Sequence, residues 1–465
     1  MMMMESTQLI FLFIISALAV GGLCRQGSNS PSQVDIAIIG GGPCGLATAI
    51  GLRRVLGPKS RLAVFERTKG SLLPDGKTTL SEVGGQVGLM TIAFAALDAL
   101  DPSSQLSNAV REAGCRRRIL RRLSQSGELE DEPAFSEDTA SIVIPWFELQ
   151  RTLIRNLLQS APQQSANGND SAAGTSQDLL YLGYELGSMN IEDDDHVDLK
   201  FVNGQECRAK LVIGADGNLS KVRAVLFGEV SPEFAGSCIW RMFLEGDYPE
   251  LDEGISCVWT GDGKVLAMQK MGDRVYLSGQ AGWPEDKLYL LDRRRYIGVE
   301  DGSDSGGTTK NESRLKRFLE NFRLFPTGPV DFVSTHCVAT SILEHPIYFR
   351  RPGRPWGQNR VTLIGDAAHM MPPNMAMGTP LAFEDAVALG HNLARHGLTP
   401  NALREYEAER QPRVNRIADA AIRQTGMYYT GKDDNANPFR MNDPDLHKYI
   451  KDFAQQPLPS HDSDV

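Results

Sequence analysis

Three glycines with a regular spacing follow a short apolar run near the start of the chain. The run Val34–Ile39 is rich in β-branched residues, and GGGPCG (residues 40–45) follows it directly. The next residues, LATAIGLRRVL, carry their apolar side chains with helical periodicity. In such a strand–turn–helix unit Gly40 permits a tight turn, Gly42 lets a diphosphate approach the backbone, and Gly45 lets helix and strand pack closely. The pattern predicts a dinucleotide site at the helix N-terminus.

An acidic residue stands where such a site requires one. The second apolar run, RLAVF, ends at Glu66, about twenty residues beyond the glycines, and Arg67 follows it. A carboxylate at this point accepts hydrogen bonds from the hydroxyls of an adenosine ribose. The βαβ unit and its acid predict a dinucleotide, but they do not distinguish NAD from FAD.

Two later segments repeat the combination of a strand, a glycine turn and an acid. LVIGADGNLS (211–220) contains Asp216 and Gly217, and RVTLIGDAAH (360–369) contains Gly365 and Asp366. Each can place a carboxylate near sugar hydroxyls and backbone N–H groups near phosphate. Each alone fits an ordinary strand-to-helix turn with a capping acid equally well. Their presence together behind a GxGxxG is more specific.

These three segments resemble the GxGxxG, DG and GD motifs of the class A flavoprotein monooxygenases, the p-hydroxybenzoate hydroxylase group. The stretch 346–393 is the most similar part and looks like zeaxanthin epoxidases and salicylate-hydroxylase-like enzymes. The resemblance extends from Val34 to Tyr429, and it implies that the dinucleotide is FAD. The implied cofactor-binding residues are Gly40, Gly42 and Gly45 at the diphosphate, Glu66 and Arg67 at the adenosine ribose, Gly365 and Asp366 at the ribityl chain, Asp216 and Gly217 in the motif linked to both FAD and NAD(P)H, and Pro372, Pro373 and Gly378 around the isoalloxazine ring.

The resemblance also implies an activity. In the family, NAD(P)H reduces FAD, and O2 then forms a flavin C4a-hydroperoxide that hydroxylates or epoxidises an aromatic or unsaturated small molecule. The sequence holds no second GxGxxG, which fits NAD(P)H as a transient co-substrate. Two alternatives remain open: an FAD-dependent reductase of the same superfamily, similar to prenyl reductases, and a catalytically impaired FAD-binding protein.

Departures from the family pattern favour the impaired alternative. Trp146 stands where relatives often have a cofactor-contacting arginine, and AMGTP (376–380) replaces a GQGxN pattern, so that Pro380 has no N–H to donate. The catalytic residues stay unknown. Trp240 and Arg241 are candidates for substrate contact, although an ordinary strand tryptophan with a surface arginine is at least as good an interpretation. His369 is a weak candidate base, and a turn residue near the flavin is the favoured interpretation.

Composition excludes some functions. The 465 residues carry a net charge of −10, which argues against nucleic-acid binding because no large positive field attracts phosphates. The basic run RRRILRR (116–122) is interpreted as a solvated helix face, with an anionic cofactor or membrane surface as the alternative. None of the seven cysteines forms a CxxC, and no HExxH occurs, so no metal site is expected.

The N-terminus predicts targeting. Leu9–Leu23 is a continuous apolar run without charge, short for a membrane span and typical of a signal-peptide core. A cleaved signal predicts the ER and secretory pathway; an uncleaved anchor or an organelle leader is the alternative, and an anchor would associate the chain with a membrane.

The sequence predicts an α/β fold with a discontinuous Rossmann-like FAD-binding domain. Its first part spans 34–225 with a flexible insertion at 159–177, and its second part, with C-terminal helices over 381–395 and 402–424, spans 346–430. A mainly β substrate domain, 226–345, is inserted between them, with a loop at 300–312. The remaining segments are a signal or anchor (1–24), a linker (25–33) and an irregular tail (431–465).

Overall fold

The structure is a computed structural model that describes residues 24–26, 31–57, 59–70, 85–137, 139–159, 179–193, 195–246, 248, 251–291, 307–337, 342–429, 444–451 and 455–460. Residues 1–23 of the expected signal or anchor segment (1–24), and all but Gln159 of the expected insertion (159–177), lie outside these residues. None of the helices in the described part is long and apolar enough to cross a membrane.

The strands of the described residues are β1 (Cys24–Gln26), β2 (Gln33–Ile39), β3 (Leu62–Glu66), β4 (Gln86–Leu89), β5 (Cys115–Arg117), β6 (Ile119–Ser124), β7 (Leu129–Asp131), β8 (Ser141–Pro145), β9 (Leu180–Leu182), β10 (Leu186–Asn190), β11 (Val197–Phe201), β12 (Glu206–Gly214), β13 (Glu233–Glu245), β14 (Ile255–Gly261), β15 (Lys264–Met271), β16 (Arg274–Gly282), β17 (Leu343–Phe349), β18 (Gly357–Gln358) and β19 (Val361–Leu363).

The helices are α1 (Pro43–Leu56), α2 (Thr91–Leu100), α3 (Gln105–Ala113), α4 (Trp146–Gln159), α5 (Lys221–Phe227), α6 (Gly307–Phe322), α7 (Thr327–His336), α8 (Asp366–His369), α9 (Gly378–His396), α10 (Pro400–Tyr429) and α11 (Pro444–Lys451), with short 3-10 helices at Glu285–Leu290 and Pro373–Met375.

The first sheet is the Rossmann-like core. Its strand order is β1-β9-β3-β2-β12-β11-β10, with β19 pairing to β12 and β18 to β19. The neighbours β3, β2, β12 and β19 are parallel. Strands β3 and β19 are apolar and buried throughout, and β2 and β12 are so toward their carboxyl ends, where helices cover the sheet. The predicted βαβ unit is confirmed as β2, α1 and β3. The edge strand β1 pairs with β9, so part of the expected linker at 25–33 is a strand.

The second sheet has the order β17-β13-β16-β15-β14-β6-β7 and is antiparallel except where β14 meets β6. Strands β6 and β7 lie in sequence before the predicted substrate domain 226–345, and β17 crosses the C-terminal boundary of that domain. The predicted boundaries were therefore wrong. Helices α6 and α7 pack on one face, and residues 307–312, expected to be loop, belong to α6. A third small sheet, β4-β8-β5, is antiparallel.

The basic run forms strands β5 and β6 rather than a helix. Its arginines face acids or polar groups on neighbouring strands and loops: Arg121 pairs with Glu132 at 2.6 Å and Arg122 with Asp131 at 2.8 Å. The helical interpretation was wrong. Strand β6 pairs with β7, and this pairing brings Arg121 and Arg122 to their acids. A short run of charges does not reveal such a pairing.

The expected irregular tail contains helix α11 and a segment that packs on the first domain. Leu458 is buried, its N–H donates to Ala99 O at 2.9 Å, and its carbonyl accepts from Arg54 Nε at 3.1 Å. Two helical glycines make room for the Leu458 side chain. A Cβ atom at Gly51 would lie 3.1 Å from a methyl carbon of Leu458, and a Cβ atom at Gly390 would lie 2.8 Å from one. The tail therefore ties α1, α2 and α9 together.

We expect Leu458→Ala to lower the free energy of unfolding by about 2–5 kcal/mol, because it leaves a cavity between three helices. Urea denaturation of the purified protein measures this loss. Leu129→Ala is the matched control, since Leu129 is 58% exposed and its truncation leaves no cavity. Equal stability of the two variants would contradict a packed tail.

Candidate active site

Four neighbouring parallel strands place the predicted motifs at one edge of the first sheet. The strand order β3-β2-β12-β19 puts the carboxyl ends of these strands side by side. Glu66 ends β3, the glycine turn follows β2, Ala215 and Asp216 follow β12, and Gly365 follows β19 closely. Ligands of open parallel sheets bind outside these carboxyl ends.

Direct contacts join the three glycine–acid turns. Gly40 has φ +114°, and a Cβ atom there would collide with the carbonyl of Ala215 and lie 2.9 Å from Asp216 N. Gly365 has φ +60°, and a Cβ atom there would lie 2.8 Å from Cys44 Sγ. Only glycine fits these positions. The turns that the sequence predicts separately therefore converge in space.

The turn leaves one open side, at Gly42. A Cβ atom at Gly42 would meet only Trp146 Cζ2, at 3.7 Å, whereas one at Gly45 would collide with Gly40 O. Gly42 is the N-cap of α1, whose first N–H groups have no partner within the helix. Space beside free N–H groups at the positive end of a helix fits a diphosphate. Gln150 Nε2 donates to Gly41 O at 2.7 Å and fixes the loop.

The Glu66 carboxylate is built into the same turn. Its Oε2 accepts from Gly41 N at 2.7 Å and its Oε1 from Thr68 N at 2.8 Å. Each carboxylate oxygen can accept a further hydrogen bond, so ribose hydroxyls can be bound in addition. Arg67 is exposed beside it.

Asp216 caps helix α5. Ser220 Oγ donates to its Oδ1 at 2.6 Å and Val222 N to its Oδ2 at 3.1 Å, and burial raises the pKa of the carboxyl. The capping interpretation therefore describes its contacts within the chain. From α5, Arg223 donates to Ala367 O and Ala368 O at 2.7 and 2.8 Å, which ties this turn to α8. Gly217, at φ +76°, has open space around its Cα.

Asp366 makes no such caps. Its side chain is exposed at the first position of α8. Desolvation by the surrounding protein raises the pKa of the carboxyl, and the nearby His369 opposes part of this shift. A Cβ atom at Gly378, where the 19-residue helix α9 begins, would lie 3.8 Å from Asp366 Oδ1. A reachable carboxylate beside a helix N-terminus fits a ligand with hydroxyl donors and a partial negative charge.

The loop between α8 and α9 carries the predicted prolines. Pro372 is buried and Pro373 is exposed, and Pro380 is the third residue of α9. A proline in the first turn breaks no helical hydrogen bond, so it removes one free donor only. Ala376 takes φ +52°, which strains a residue with a side chain, in the segment that departs from the family pattern.

His369 lies below this loop and is buried. Its Nε2 is 2.6 Å from Asp385 Oδ2, and Asp385 also accepts from Gly365 N at 3.2 Å and Arg410 Nε at 2.7 Å. Burial acts to raise the pKa of Asp385, but His369 and Arg410 hold it below the ordinary value. This geometry suits a residue that supports the Gly365–Asp366 turn and does not suit a solvent-accessible base.

The second sheet presents polar groups on the face opposite its helices. Trp240 is fully buried on the helix-covered face and donates to Glu344 Oε1 at 2.8 Å, which fits an ordinary strand tryptophan and does not fit a substrate contact. Arg241, on the other face, is half-buried and its Nη1 lies 3.2 Å from His345 Nε2. Burial, with Arg241 nearby, lowers the pKa of His345 well below its usual range, so the ring is neutral and accepts.

This polar face reaches β4 of the small sheet. A Cβ atom at Gly85 would lie 2.5 Å from Arg241 Cδ and 2.9 Å from Tyr276 Oη, and Trp146 N donates to Gly85 O at 2.9 Å. Gln86 Oε1 is buried without a hydrogen-bond partner among the described residues. The second sheet and the glycine turn thus approach one another through Gly85.

Sequence reasoning missed several residues of this arrangement: Gln86, Tyr276, His345 and Asp385. For Tyr276 and His345, no local pattern separates the two faces of a strand buried on both sides. Among the described residues no cluster of His, Cys, Asp and Glu could hold a metal ion.

Known proteins share this architecture. The family model described as "FAD binding domain" matches residues 346–421. The aurachin C monooxygenase/isomerase of Stigmatella aurantiaca is 26% identical over 84% of this chain and 88% of its own length. The chloroplastic zeaxanthin epoxidase of Oryza sativa subsp. japonica is 27% identical over 82% of this chain, which spans 53% of that protein. The structure of Klebsiella pneumoniae HpxO with FAD and uric acid superposes with a TM-score of 0.66 at 20% identity, covering 90% of this chain and 92% of that one.

Proposed function

Because the chain belongs with the class A FAD-dependent monooxygenases, we propose that it oxygenates an ionisable aromatic or unsaturated small molecule with NAD(P)H and O2. The convergence of the three glycine–acid turns on one open cradle is the observation that carries this proposal. The FAD that such a cradle would hold supplies the redox chemistry, and the protein supplies binding, orientation and shielding.

The site residues divide by the group they would bind. Gly40, Gly42 and Gly45 with the α1 N-terminus would hold the diphosphate, and Glu66 would hold the adenosine ribose. Asp366 and Gly378 lie close enough to bind one ribityl–flavin segment, with Pro372 and Pro373 against its ring. Asp216 and Gly217 would act mainly through the shape of their turn, because the Asp216 oxygens already accept two donors.

Arg241 supports the choice of substrate class. Its guanidinium contacts the neutral ring of His345, and no carboxylate of the described residues forms a salt bridge with it. Half-buried charges are normally compensated, so the guanidinium favours a ligand with a carboxylate or an ionised hydroxyl. Uric acid, bound in the HpxO structure, is a planar compound that likewise becomes an anion, by loss of a ring N–H proton. A surface role for Arg241 is the alternative that the following variant tests.

We expect Arg241→Met to raise KM about 10- to 150-fold for an anionic substrate, since hydrogen bonds to charged groups contribute about 1.5–3 kcal/mol. FAD content should stay unchanged. Steady-state O2 uptake measures KM, and Arg241→Lys, which keeps the charge, should restore part of the affinity. A surface arginine, in contrast, would leave KM unaltered in both variants.

Purified holoprotein tests the reaction itself. NADH or NADPH is added with and without candidate phenols, aromatic acids and alkenes, and flavin absorbance and O2 uptake are followed. Substrate-stimulated O2 uptake with an oxygenated product supports a monooxygenase. Flavin bleaching and substrate reduction without O2 uptake would instead support the FAD-dependent reductase. A bound flavin that neither nucleotide reduces would instead support the catalytically impaired FAD-binding protein. Trp146 at the open side of Gly42 and the missing N–H of Pro380 would explain that outcome.

We propose further that the apolar segment Leu9–Leu23 directs the chain to the secretory pathway and is removed. Its charge-free composition supports this proposal. N-terminal sequencing of the protein from a secretion-competent host tests it, and an intact Met1 in a protein that does not associate with membranes would contradict it.

A further inference from the structure

The last turns of α10 contact both parts of the candidate site. Asn374 lies in the short 3-10 helix Pro373–Met375 and is buried. Its Oδ1 accepts from Thr425 Oγ1 at 2.9 Å and its Nδ2 donates to Gln424 Oε1 at 3.2 Å. The loop beside the proposed flavin ring is thereby held by α10 rather than by its own backbone alone.

One turn further along, α10 is seated on the second sheet. Tyr428 Oη donates to Lys264 O at 2.7 Å, and the rings of Tyr428 and Tyr429 pack with Val258 and Val265. A Cβ atom at Gly282 would collide with the carbonyl of Tyr429, so the end of the helix lies directly on strand β16. A shift of the second sheet relative to the first would therefore move Thr425.

The loop responds to such a shift because it is strained. Ala376 ends the 3-10 helix at φ +52°, and its N–H donates to Pro373 O at 2.9 Å. Strain of this kind persists only where surrounding contacts impose it. The contact that the Thr425 hydroxyl makes with Asn374 is one that a single substitution can remove without changing side-chain volume.

We propose that Thr425 and Asn374 are positioning residues that couple the second sheet, where substrate would bind, to the loop beside the flavin. This inference rests on the proposed function. The helix end transmits the position of the sheet to the loop, and the loop in turn keeps water from the flavin. Loss of the contact loosens the loop over a retained cofactor, so that electrons from NAD(P)H reach O2 without a productive geometry and leave as H2O2.

The test compares the wild-type holoprotein with Thr425→Val, Thr425→Ser and the control Thr335→Val. Thr335 is exposed on α7, and its hydroxyl donates to Asp331 O within that helix. The rate of H2O2 formation with NAD(P)H and the visible flavin spectrum are measured without added substrate. We expect Thr425→Val to retain FAD, to shift the flavin spectrum and to raise H2O2 formation about fivefold, the factor that corresponds to one hydrogen bond. Thr425→Ser should restore the wild-type values, and Thr335→Val should not differ from them.

A second variant separates coupling from local stability. Tyr428→Phe removes the hydroxyl that donates to Lys264 O and leaves the contact to Asn374. Coupling predicts that its effect and that of Thr425→Val on H2O2 formation are not additive. A lower Tm for Thr425→Val with an unchanged spectrum and an unchanged rate of H2O2 formation, or additive effects, would overturn the inference. A wild-type protein that holds no reducible FAD would instead overturn the proposed function.

Discussion

The Gly42→Val variant is expected to fold and to purify without FAD. A Cβ atom at Gly42 meets nothing closer than Trp146 Cζ2 at 3.7 Å, and the backbone there is extended, so the fold tolerates a branched side chain. The same side chain would fill the space that a diphosphate needs at the N-terminus of α1. Flavin content per chain, measured from the absorbance of the denatured protein, should fall from about one to near zero.

Three comparisons make this expectation specific. Gly42→Ala should retain an intermediate amount of FAD, because one methyl group fills less of the cradle. Gly426→Val carries the same substitution at a position with open space and should stay yellow. Gly45→Ala should damage the fold itself, because its Cβ atom would collide with Gly40 O. A yellow Gly42→Val protein with full flavin content would contradict the cradle.

The Asp366→Ala variant should bind FAD about 10- to 150-fold more weakly. The carboxylate is exposed, lies beside the start of α9 and has no capping contact with its own turn, so its loss removes ligand contacts more than fold contacts. Charge-assisted hydrogen bonds contribute about 1.5–3 kcal/mol, and each 1.4 kcal/mol corresponds to a factor of ten. Titration of the apoprotein with FAD, followed by flavin fluorescence, measures the affinity.

The pH dependence of the same titration provides an independent check. The surrounding protein raises the pKa of Asp366 above its ordinary value of 3.8, and ribityl hydroxyls donate to the ionised form. FAD binding therefore favours proton release, and affinity should fall as the pH drops through the raised pKa of the apoprotein. Asp366→Asn cannot ionise and should lose this part of the pH dependence. Identical curves for the two proteins would count against Asp366 as the ligand.

The first βαβ unit could be predicted because its determinants are local. Apolar strands, a glycine turn, a helix and Glu66 follow one another within about thirty residues, and the structure realises them as β2, α1 and β3. The convergence of the later motifs depends on strand order. The positions of β12 and β19 beside β2 follow from long-range pairing, which the two turn motifs indicate only together.

The domain boundaries could not be predicted because they, too, depend on long-range strand pairing. Strands β6 and β7 lie in sequence between elements of the first domain, yet β6 pairs with β14 more than 130 residues later. Neither strand has a composition that assigns it to one sheet. The division of the second sheet into a core face with Trp240 and a polar face with Arg241 likewise depends on which side the helices α6 and α7 cover.

Reconstitution of the apoprotein with FAD tests the central claim most directly. If Gly42, Asp216 and Asp366 surround one dinucleotide site, the titration should saturate at one FAD per chain, and the bound flavin should be reduced by NADH or NADPH. A colourless protein that takes up no FAD under any refolding condition would contradict the account.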